Sequence, residues 1–230
     1  MICFTNSPTV SATLLNPRAY TYQYRTITTR GAFFSSTYGQ EDLIAPSTNK
    51  SIGFINKEMW VFLNDNEWIE TGATKGPVSN SLQTPNPGSS NKSYWQGHFV
   101  AYKLYNSSAN QYEYHEVAYG SQNPTGTHNF SITYIGSNTW VVYSDYARVL
   151  TISPVPYSSS KYVQVGIETN ETTSSFLSGT FASNWQLKDT NDIWHLSTMA
   201  VNGDSNNLNW SSSFSYNSSN STNLIRYSHP

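Results

Sequence analysis

Two glutamates, Glu70 and Glu168, occupy positions where a pair of carboxyl groups could do chemistry. Glu168 lies in the alternating run K-Y-V-Q-V-G-I-E-T-N over 161–170, and Glu70 lies in W-I-E-T-G over 68–72. Two carboxyl groups in a partly desolvated site cannot both ionise easily, so one keeps its proton and the other becomes a base. The protonated group can then polarise a carbonyl while the ionised group takes a proton from water.

Both glutamates are predicted on strand faces that point away from the aliphatic residues. Within 161–170, one strand face is apolar and consists of Val163, Val165, Ile167 and Thr169. The other face is polar and consists of Tyr162, Gln164, Gly166 and Glu168. The glycine beside Glu168 leaves open space in which a ligand could approach. In the other strand Ile69 points one way, whereas Trp68 and Glu70 point the other way. The two carboxylates can meet if both faces belong to one concave sheet; otherwise they are surface charges on a lectin-like sheet.

These two segments, with G-T-F over 179–181 downstream, resemble motifs of the glutamic peptidases. The fungal eqolisins have a catalytic Gln in a segment like I-L-Q-T-G and a catalytic Glu in one like W-I-V-E. The plant neprosins have Glu at both places. The resemblance implies that Glu168 is the general base and that protonated Glu70 polarises the carbonyl. It also implies that Trp60 and Trp68 shape the substrate cleft.

We further expect Gln164 and Tyr162, on the face of Glu168, to contact the substrate. Glu70 and Glu168 are expected on adjacent central strands, with carboxyl oxygens within hydrogen-bond reach or one water apart. Because model Glu titrates at about 4.3, such a pair predicts activity in the acid range, roughly pH 3 to 6.

Short β-rich runs between Gly, Pro, Asn and Ser clusters, without a helical stripe, predict an all-β sandwich or barrel. Their order resembles the two-sheet concanavalin-like jelly roll of the glutamic peptidases. The predicted strands are 20–34, 59–63, 67–71, 94–105, 111–119, 127–135, 139–144, 147–152, 161–170, 180–188, 193–200 and 208–216. The segment 41–55 is expected to be rich in turns, 75–92 to form the longest loop beside the cleft, and 217–222 to be solvated. We expect one domain over 1–230, with a core of about 20–200 and a polar C-terminal segment, 201–230.

Composition narrows the possible partners. The chain of 230 residues has a net charge of −2, 11% charged residues and no basic stripe, which disfavours nucleic acid as a partner. Its 37% hydrophobic and 15% aromatic residues argue against disorder. The single cysteine, Cys3, excludes an intrachain disulfide. No apolar run approaches the roughly 20 residues that span a bilayer.

The expected setting is extracellular, with protein or peptide substrates and a monomeric protein, although residues 1–12 lack the features of a signal peptide. The chain could carry N-glycans, since eight N-x-S/T sequons occur, at Asn49, Asn91, Asn106, Asn129, Asn170, Asn209, Asn217 and Asn220. A glycan at Asn170 would obstruct a cleft at Glu168.

Other chemistries find little support. No metal or cofactor is expected, because the five histidines (His98, His115, His128, His195 and His229) lack metal-site spacing and no phosphate-binding or G-x-S-x-G motif occurs. Glu113 and His115 should share a strand face and form an ordinary ion pair, with Glu116 facing away. Two alternatives to a peptidase stay open: a glycan-binding or glycan-hydrolysing jelly-roll protein, and a non-catalytic surface or structural domain.

Overall fold

Two antiparallel sheets contain all the strands in the described residues, which are 18–24, 29–38, 53–169, 179–196, 200–202, 211–217 and 222–228 of a computed structural model. In chain order the strands are β1 (Arg18–Tyr24), β2 (Gly31–Tyr38), β3 (Ile55–Phe62), β4 (Trp68–Ser79), β5 (Lys92–Asn106), β6 (Gln111–Tyr119), β7 (Gly126–Gly136), β8 (Thr139–Ser144), β9 (Ala147–Ile152), β10 (Tyr162–Thr169), β11 (Gly179–Lys188), β12 (Trp194–Leu196), β13 (Ala200–Asn202), β14 (Ser211–Asn217) and β15 (Thr222–Ser228). A short 3-10 turn at Ser89–Asn91 precedes β5.

The strands of the two sheets are interleaved along the chain. One sheet has the order β13-β1-β10-β3-β4-β5-β6, and the other has the order β14-β15-β11-β2-β7-β8-β9, with β12 paired to β11. The all-β, two-sheet jelly-roll prediction is therefore confirmed. Within the described residues, no helix is long and apolar enough to cross a membrane.

The core fills the space between the two sheets. Fully buried side chains come from both sides, including Met59 and Val165 from the first sheet and Phe34 and Phe130 from the second. The rings of Phe34 and Phe130 stack with their centroids 5.0 Å apart. Because successive strand residues point to opposite faces, burying Val163 and Val165 turns the other residues of β10 away from the core. The same alternation holds for β3 and β4, and it creates the face that carries the candidate site.

Several predicted strands are confirmed with nearly the expected bounds, including the hairpins β5–β6 and β7–β8 and the strand β9. The predicted edge strand over 208–216 corresponds to β14, which lies at the edge of its sheet. The turns predicted over 41–55 lie mostly outside the described residues, as do 218–221 of the segment expected to be solvated.

Three predictions of local structure are wrong. The expected strand over 20–34 is two strands in different sheets, because β1 pairs with β10 whereas β2 pairs with β7. The expected strand over 193–200 is likewise divided between β12 and β13, which belong to different sheets. The expected loop over 75–92 begins only after Ser79, since β4 pairs with β5 as far as Ser79 and Lys92.

Candidate functional site

The face of the first sheet that points away from the core, called the open face, is an ordered grid of side chains. Residues directly opposite each other on paired antiparallel strands point to the same face, so the registers define rows across β10, β3, β4, β5 and β6. The three complete rows are Tyr162, Phe62, Trp68, Lys103 and Tyr114; then Gln164, Trp60, Glu70, Ala101 and Glu116; then Gly166, Glu58, Gly72, Phe99 and Ala118. Glu168 lies one row further along, opposite Asn56.

A cleft of about 270 Å³ opens on this face. Its lining combines aromatic and aliphatic walls with carboxyl groups: Phe54, Asn56, Trp60, Trp68, Glu70, Thr74, Pro77, Val78, Lys92, Phe99, Tyr114, Glu116 and Glu168. Lys92 is the one cationic side chain among the described residues that line it. The cleft is therefore an acidic, desolvated pocket with aromatic walls.

Glu70 is held by two donors at the centre of the cleft. It is 4% exposed, and its Oε2 accepts a hydrogen bond of 2.9 Å from Nε1 of Trp68. Its Oε1 lies 2.9 Å from the hydroxyl of Tyr114. Burial, followed by the charge of Glu168, raises the pKa of Glu70 to about 8, although the bonds from Tyr114 and Trp68 act in the opposite direction. Glu70 thus retains its proton where an ordinary glutamate is ionised.

Glu168 reaches the same cleft from β10. Part of the residue is exposed, but its carboxyl group is desolvated, and this burial raises the pKa of Glu168 to about 7. A hydrogen bond with Glu58 lowers the pKa, and the charge of Glu116 raises it. The contact with Glu58 favours the ionised form of Glu168, and the resulting charge on Glu168 favours the protonated form of Glu70.

A third glutamate, Glu58, lies between these two. It occupies the row between those of Glu70 and Glu168, and it is flanked in register by Gly166 on β10 and Gly72 on β4. Glu58 is fully buried. Burial, and then the charges of Glu70 and Glu168, hold the pKa of Glu58 well above that of an ordinary glutamate.

The far wall of the cleft contains a chain of polar contacts on β5 and β6. The hydroxyl of Tyr114 lies 3.2 Å from Oε2 of Glu116, and Nζ of Lys92 lies 2.5 Å from Oε1 of Glu116. Burial, followed by the charges of Glu70 and Glu116, holds the pKa of Tyr114 well above 10, so its phenol stays protonated. Because the phenol has one proton, it donates to only one of the two carboxyl groups at a time.

The structure changes the predicted relation between Glu70 and Glu168. They do not lie on adjacent strands, because β3 runs between β4 and β10. The registers place them opposite Trp60 and Asn56, four residues apart along β3. Alternate strands of a sheet are about 10 Å apart, and the space between the two carboxyl groups is the position of Glu58.

The four expected substrate contacts fall into two groups. Trp60 and Trp68 line the cleft. Gln164 and Tyr162 lie on the same open face but outside the cleft lining, and the ring of Tyr162 stacks on Phe62 with the centroids 4.4 Å apart.

The pairing of Glu113 with His115 agrees with the sequence prediction. Nε2 of His115 lies 3.5 Å from Oε2 of Glu113, on the face of β6 opposite to Glu116. Glu116 itself lines the cleft, which sequence reasoning overlooked.

Sequence reasoning also overlooked Glu58, Tyr114 and Lys92. The signal for Glu58 was present in I-N-K-E-M-W-V-F, where Glu58 shares the strand face of Trp60 and alternates with the core residues Met59 and Val61. The same alternation puts Tyr114 and Glu116 on one face of β6. No comparable pattern marked Lys92, which lies at the first position of β5.

Among the described residues, no set of three or more His, Cys, Asp or Glu side chains is arranged to hold a metal ion. What the cleft glutamates share is a raised affinity for protons, since the pKa values of Glu58, Glu70 and Glu168 all lie above the ordinary range. Such groups can serve as acids and bases near neutral pH.

No protein-family model matches the sequence, and no curated protein sequence matches it significantly. Among solved structures, a scytalido-glutamic peptidase with a transition-state analogue inhibitor superposes with a TM-score of 0.48 at 10% identity, covering 94% of this chain and 100% of that one. A Bacteroides ovatus GH16 protein from a mixed-linkage glucan locus has a TM-score of 0.37 at 12% identity, covering 66% of each chain. A Bacillus licheniformis β-glucanase has a TM-score of 0.35 at 9% identity, covering 91% of this chain and 71% of that one. The indications of function come from the cleft itself.

Proposed function

We propose that this protein is a glutamic endopeptidase, which hydrolyses peptide bonds with water activated by Glu168 and a carbonyl polarised by Glu70. The observation that carries the proposal is the convergence of Glu70, Glu116 and Glu168 on one aromatic-walled cleft of the open face, with buried Glu58 in the row between Glu70 and Glu168. Desolvated carboxyl groups in such numbers cannot all ionise, so some hold protons at a pH where others act as bases. This coexistence of acid and base is what general acid–base catalysis requires.

In the proposed reaction Glu168 is the base. Its ionised carboxylate takes a proton from a water molecule, and the water oxygen forms a bond to the carbonyl carbon of the scissile peptide. Glu168 is the appropriate group because it ionises at lower pH than Glu70. When the tetrahedral intermediate collapses, the C–N bond breaks and Glu168 returns the proton to the leaving nitrogen, which yields a carboxylic acid and an amine.

Glu70 is the acid that stabilises the developing oxyanion. In its protonated form it can donate a hydrogen bond to the carbonyl oxygen of the substrate. The bond from Trp68 fixes the orientation of the carboxyl group, and the phenol of Tyr114 can donate to Glu116 while Glu70 is protonated. The wall formed by Tyr114, Glu116 and Lys92 is therefore compatible with Glu70 as a neutral acid.

The shape of the open face suits an extended polypeptide. Trp60 and Trp68 provide apolar walls for substrate side chains.

A second candidate function is glycan hydrolysis. The observation that favours it is the ring surface beside the cleft, where Tyr162 stacks on Phe62 and the rings of Phe62 and Trp68 lie 5.8 Å apart. Glycosidases also use a pair of carboxyl groups, which flank the glycosidic bond that is cleaved.

The experiment that separates the two is direct. Purified protein is incubated between pH 3 and 9 with denatured protein and, separately, with xylan and β-glucan. We expect peptide products and no released sugar, and we expect Glu168→Gln to lose activity by roughly 100-fold or more, because it removes the base. Sugar release without proteolysis would establish the second candidate. Proteolysis by Glu168→Gln at the rate of the unsubstituted protein would exclude Glu168 as the base.

A further inference from the structure

We propose that Glu58 is a third functional carboxyl group: a neutral acid that donates its proton in a hydrogen bond to Glu168 and thereby orients it. Glu58 is a positioning residue, since it acts through Glu168. The role in catalysis rests on the proposed function, whereas the proton-sharing pair itself does not.

The carboxyl group of Glu58 is buried without the hydrogen-bond donors that an ionised carboxylate needs. Glu58 is 0% exposed, and within the described part of the chain neither of its Oε atoms accepts a hydrogen bond of ordinary geometry. A buried carboxylate left in this condition is strongly unfavourable, whereas a buried carboxylic acid is tolerated. The polar side chains next to Glu58 are those of Asn56, two residues before it on the same face of β3, and Glu168, which lies opposite Asn56 on β10. A hydrogen bond between two carboxyl groups requires a proton on one of them, and the buried member is the one that keeps it.

The position of Glu58 in the grid also supports this role. Glu58 lies in the row between Glu70 and Glu168, with a glycine in register on each side of it, Gly72 and Gly166. The space matters at position 72, where an added Cβ would lie 2.7 Å from Cα of Glu58. A side chain in the row of Glu58 would compete with its carboxyl group for the route to Glu168.

The consequence for Glu168 is chemical. One of its oxygens accepts a hydrogen bond from the protonated carboxyl group of Glu58, which leaves the other oxygen available to take a proton from water. The bond also favours the ionised form of Glu168 against the negative charge of Glu116. The other groups that face this pair are Glu70, Tyr114 and Lys92.

Two variants separate this role from simple packing. Glu58→Gln keeps the volume and an N–H donor for Glu168, whereas Glu58→Met keeps the approximate volume and has no donor. We expect Glu58→Met to lose roughly 10- to 100-fold in kcat with little change in KM, and Glu58→Gln to stay within a few-fold of the unsubstituted protein. The acid limb of the pH profile should move to higher pH in Glu58→Met only. Glu113→Gln is the control for loss of a carboxyl group on the other sheet face.

A readout independent of activity is carbon-13 NMR of the glutamate carboxyl groups during a pH titration. The carboxyl resonance that is absent from the spectrum of Glu58→Gln is assigned to Glu58. In the unsubstituted protein, this resonance should show that Glu58 stays protonated while Glu168 ionises. The titration of Glu168 should move to higher pH in Glu58→Met. This experiment needs only the unsubstituted protein and Glu58→Gln if Glu58→Met does not fold.

The outcomes are distinguishable. If Glu58 ionises before Glu168, or if folded Glu58→Met has the unsubstituted pH profile and kcat, the inference is wrong. If the NMR titration behaves as expected but no peptide is cleaved, the proton-sharing pair stands and the proposed peptidase activity fails.

Discussion

At the scale of single residues, the same side-chain type has four different roles because the surroundings differ. Glu116 has a cation at 2.5 Å, Glu70 has two neutral donors, and Glu168 has buried Glu58 as its neighbour. Burial favours the neutral form of a carboxyl group, whereas a hydrogen bond donated to the ionised form favours ionisation. The order in which Glu168 and Glu70 release their protons therefore follows from their surroundings.

The pH dependence of activity follows from this order. If the reaction needs Glu168 ionised and Glu70 protonated, the rate rises as pH passes about 7 and falls as pH passes about 8. We therefore expect a bell with its maximum between these values, which are properties of the coupled pair. The acid optimum expected from the sequence kept the pKa of one glutamate near the ordinary value of about 4.3, whereas burial raises the pKa of both.

Initial rates on a denatured protein substrate, measured between pH 3 and 9.5, test this bell. Glu70→Gln should keep the acid limb and flatten the alkaline limb, because the group that titrates there is gone. A maximum at pH 4 in the unsubstituted protein would contradict the assignment of both limbs.

Neighbouring glutamates on β6 provide a matched pair of variants. The charge of Glu116 raises the pKa of both Glu70 and Glu168, whereas Glu113 lies on the other sheet face. Glu116→Gln should therefore shift both limbs of the pH profile towards acid, and Glu113→Gln should leave them in place. Equal shifts in the two variants would show that the effect does not come from the cleft.

At the scale of strands, alternation within a strand was readable from the sequence, and pairing between distant strands was not. The polar face of β10 was predicted correctly because Val163 and Val165 mark the other face as core. The strand β3 lies between the strands of Glu70 and Glu168. This order depends on pairing between residues about a hundred positions apart, which the local sequence pattern does not encode.

The length of β4 shows a second limit of local rules. Pro77 and the polar residues after it predicted a loop, yet β4 continues to Ser79. The physical reason is that β3 begins opposite Lys75, so beyond that point no strand in the described part of the chain pairs with β4 on that side. Pro77 is opposite Tyr94 of β5 and needs no N–H for a second neighbouring strand.

Glycine at position 72 is the strand feature on which the middle row depends. A Cβ there would overlap the carbonyl oxygen of Lys57, so β3 and β4 would have to separate. We expect Gly72→Ala to lower the free energy of unfolding by about 1–3 kcal/mol and to reduce activity by displacing Glu58 and Glu70.

Gly88→Ala is the matched control, because no atom lies within 4 Å of the added Cβ and its φ of −74° suits alanine. Urea unfolding of the two variants measures the difference. Equal stability would mean that β3 and β4 are further apart than the structure shows.

At the scale of the whole molecule, the buried acids of the open face connect the site to the stability of the fold. The sandwich buries Glu58, Glu70 and the carboxyl group of Glu168, so folding favours their protonated forms. An unfolded glutamate titrates at about 4.3. The native state therefore holds protons that the unfolded state has already released.

This difference in bound protons sets the sign of the pH dependence of the free energy of unfolding. Because unfolding releases these protons, stability from the raised pKa values is fully present below about pH 4.3 and is lost as pH rises through about 7 and about 8. His98 acts in the opposite direction, since burial and then His128 lower its pKa to about 4, and this matters below its unfolded pKa of about 6.5. Between pH 6.5 and 8, the change of stability with pH therefore comes mainly from the buried glutamates.

Between pH 6.5 and 8 we expect the free energy of unfolding to fall by on the order of 4 kcal/mol, since each of the three glutamates contributes at most about 1.4 kcal/mol per pH unit. Urea denaturation at the two pH values measures this difference. The triple variant Glu58→Gln/Glu70→Gln/Glu168→Gln should show a much flatter dependence, because none of the three side chains can release a proton on unfolding. Glu113→Gln should retain the fall. A stability that is constant or rises over this window in the unsubstituted protein would mean that the cleft glutamates are solvated and ionised, and the acid that the proposed mechanism requires would then be missing.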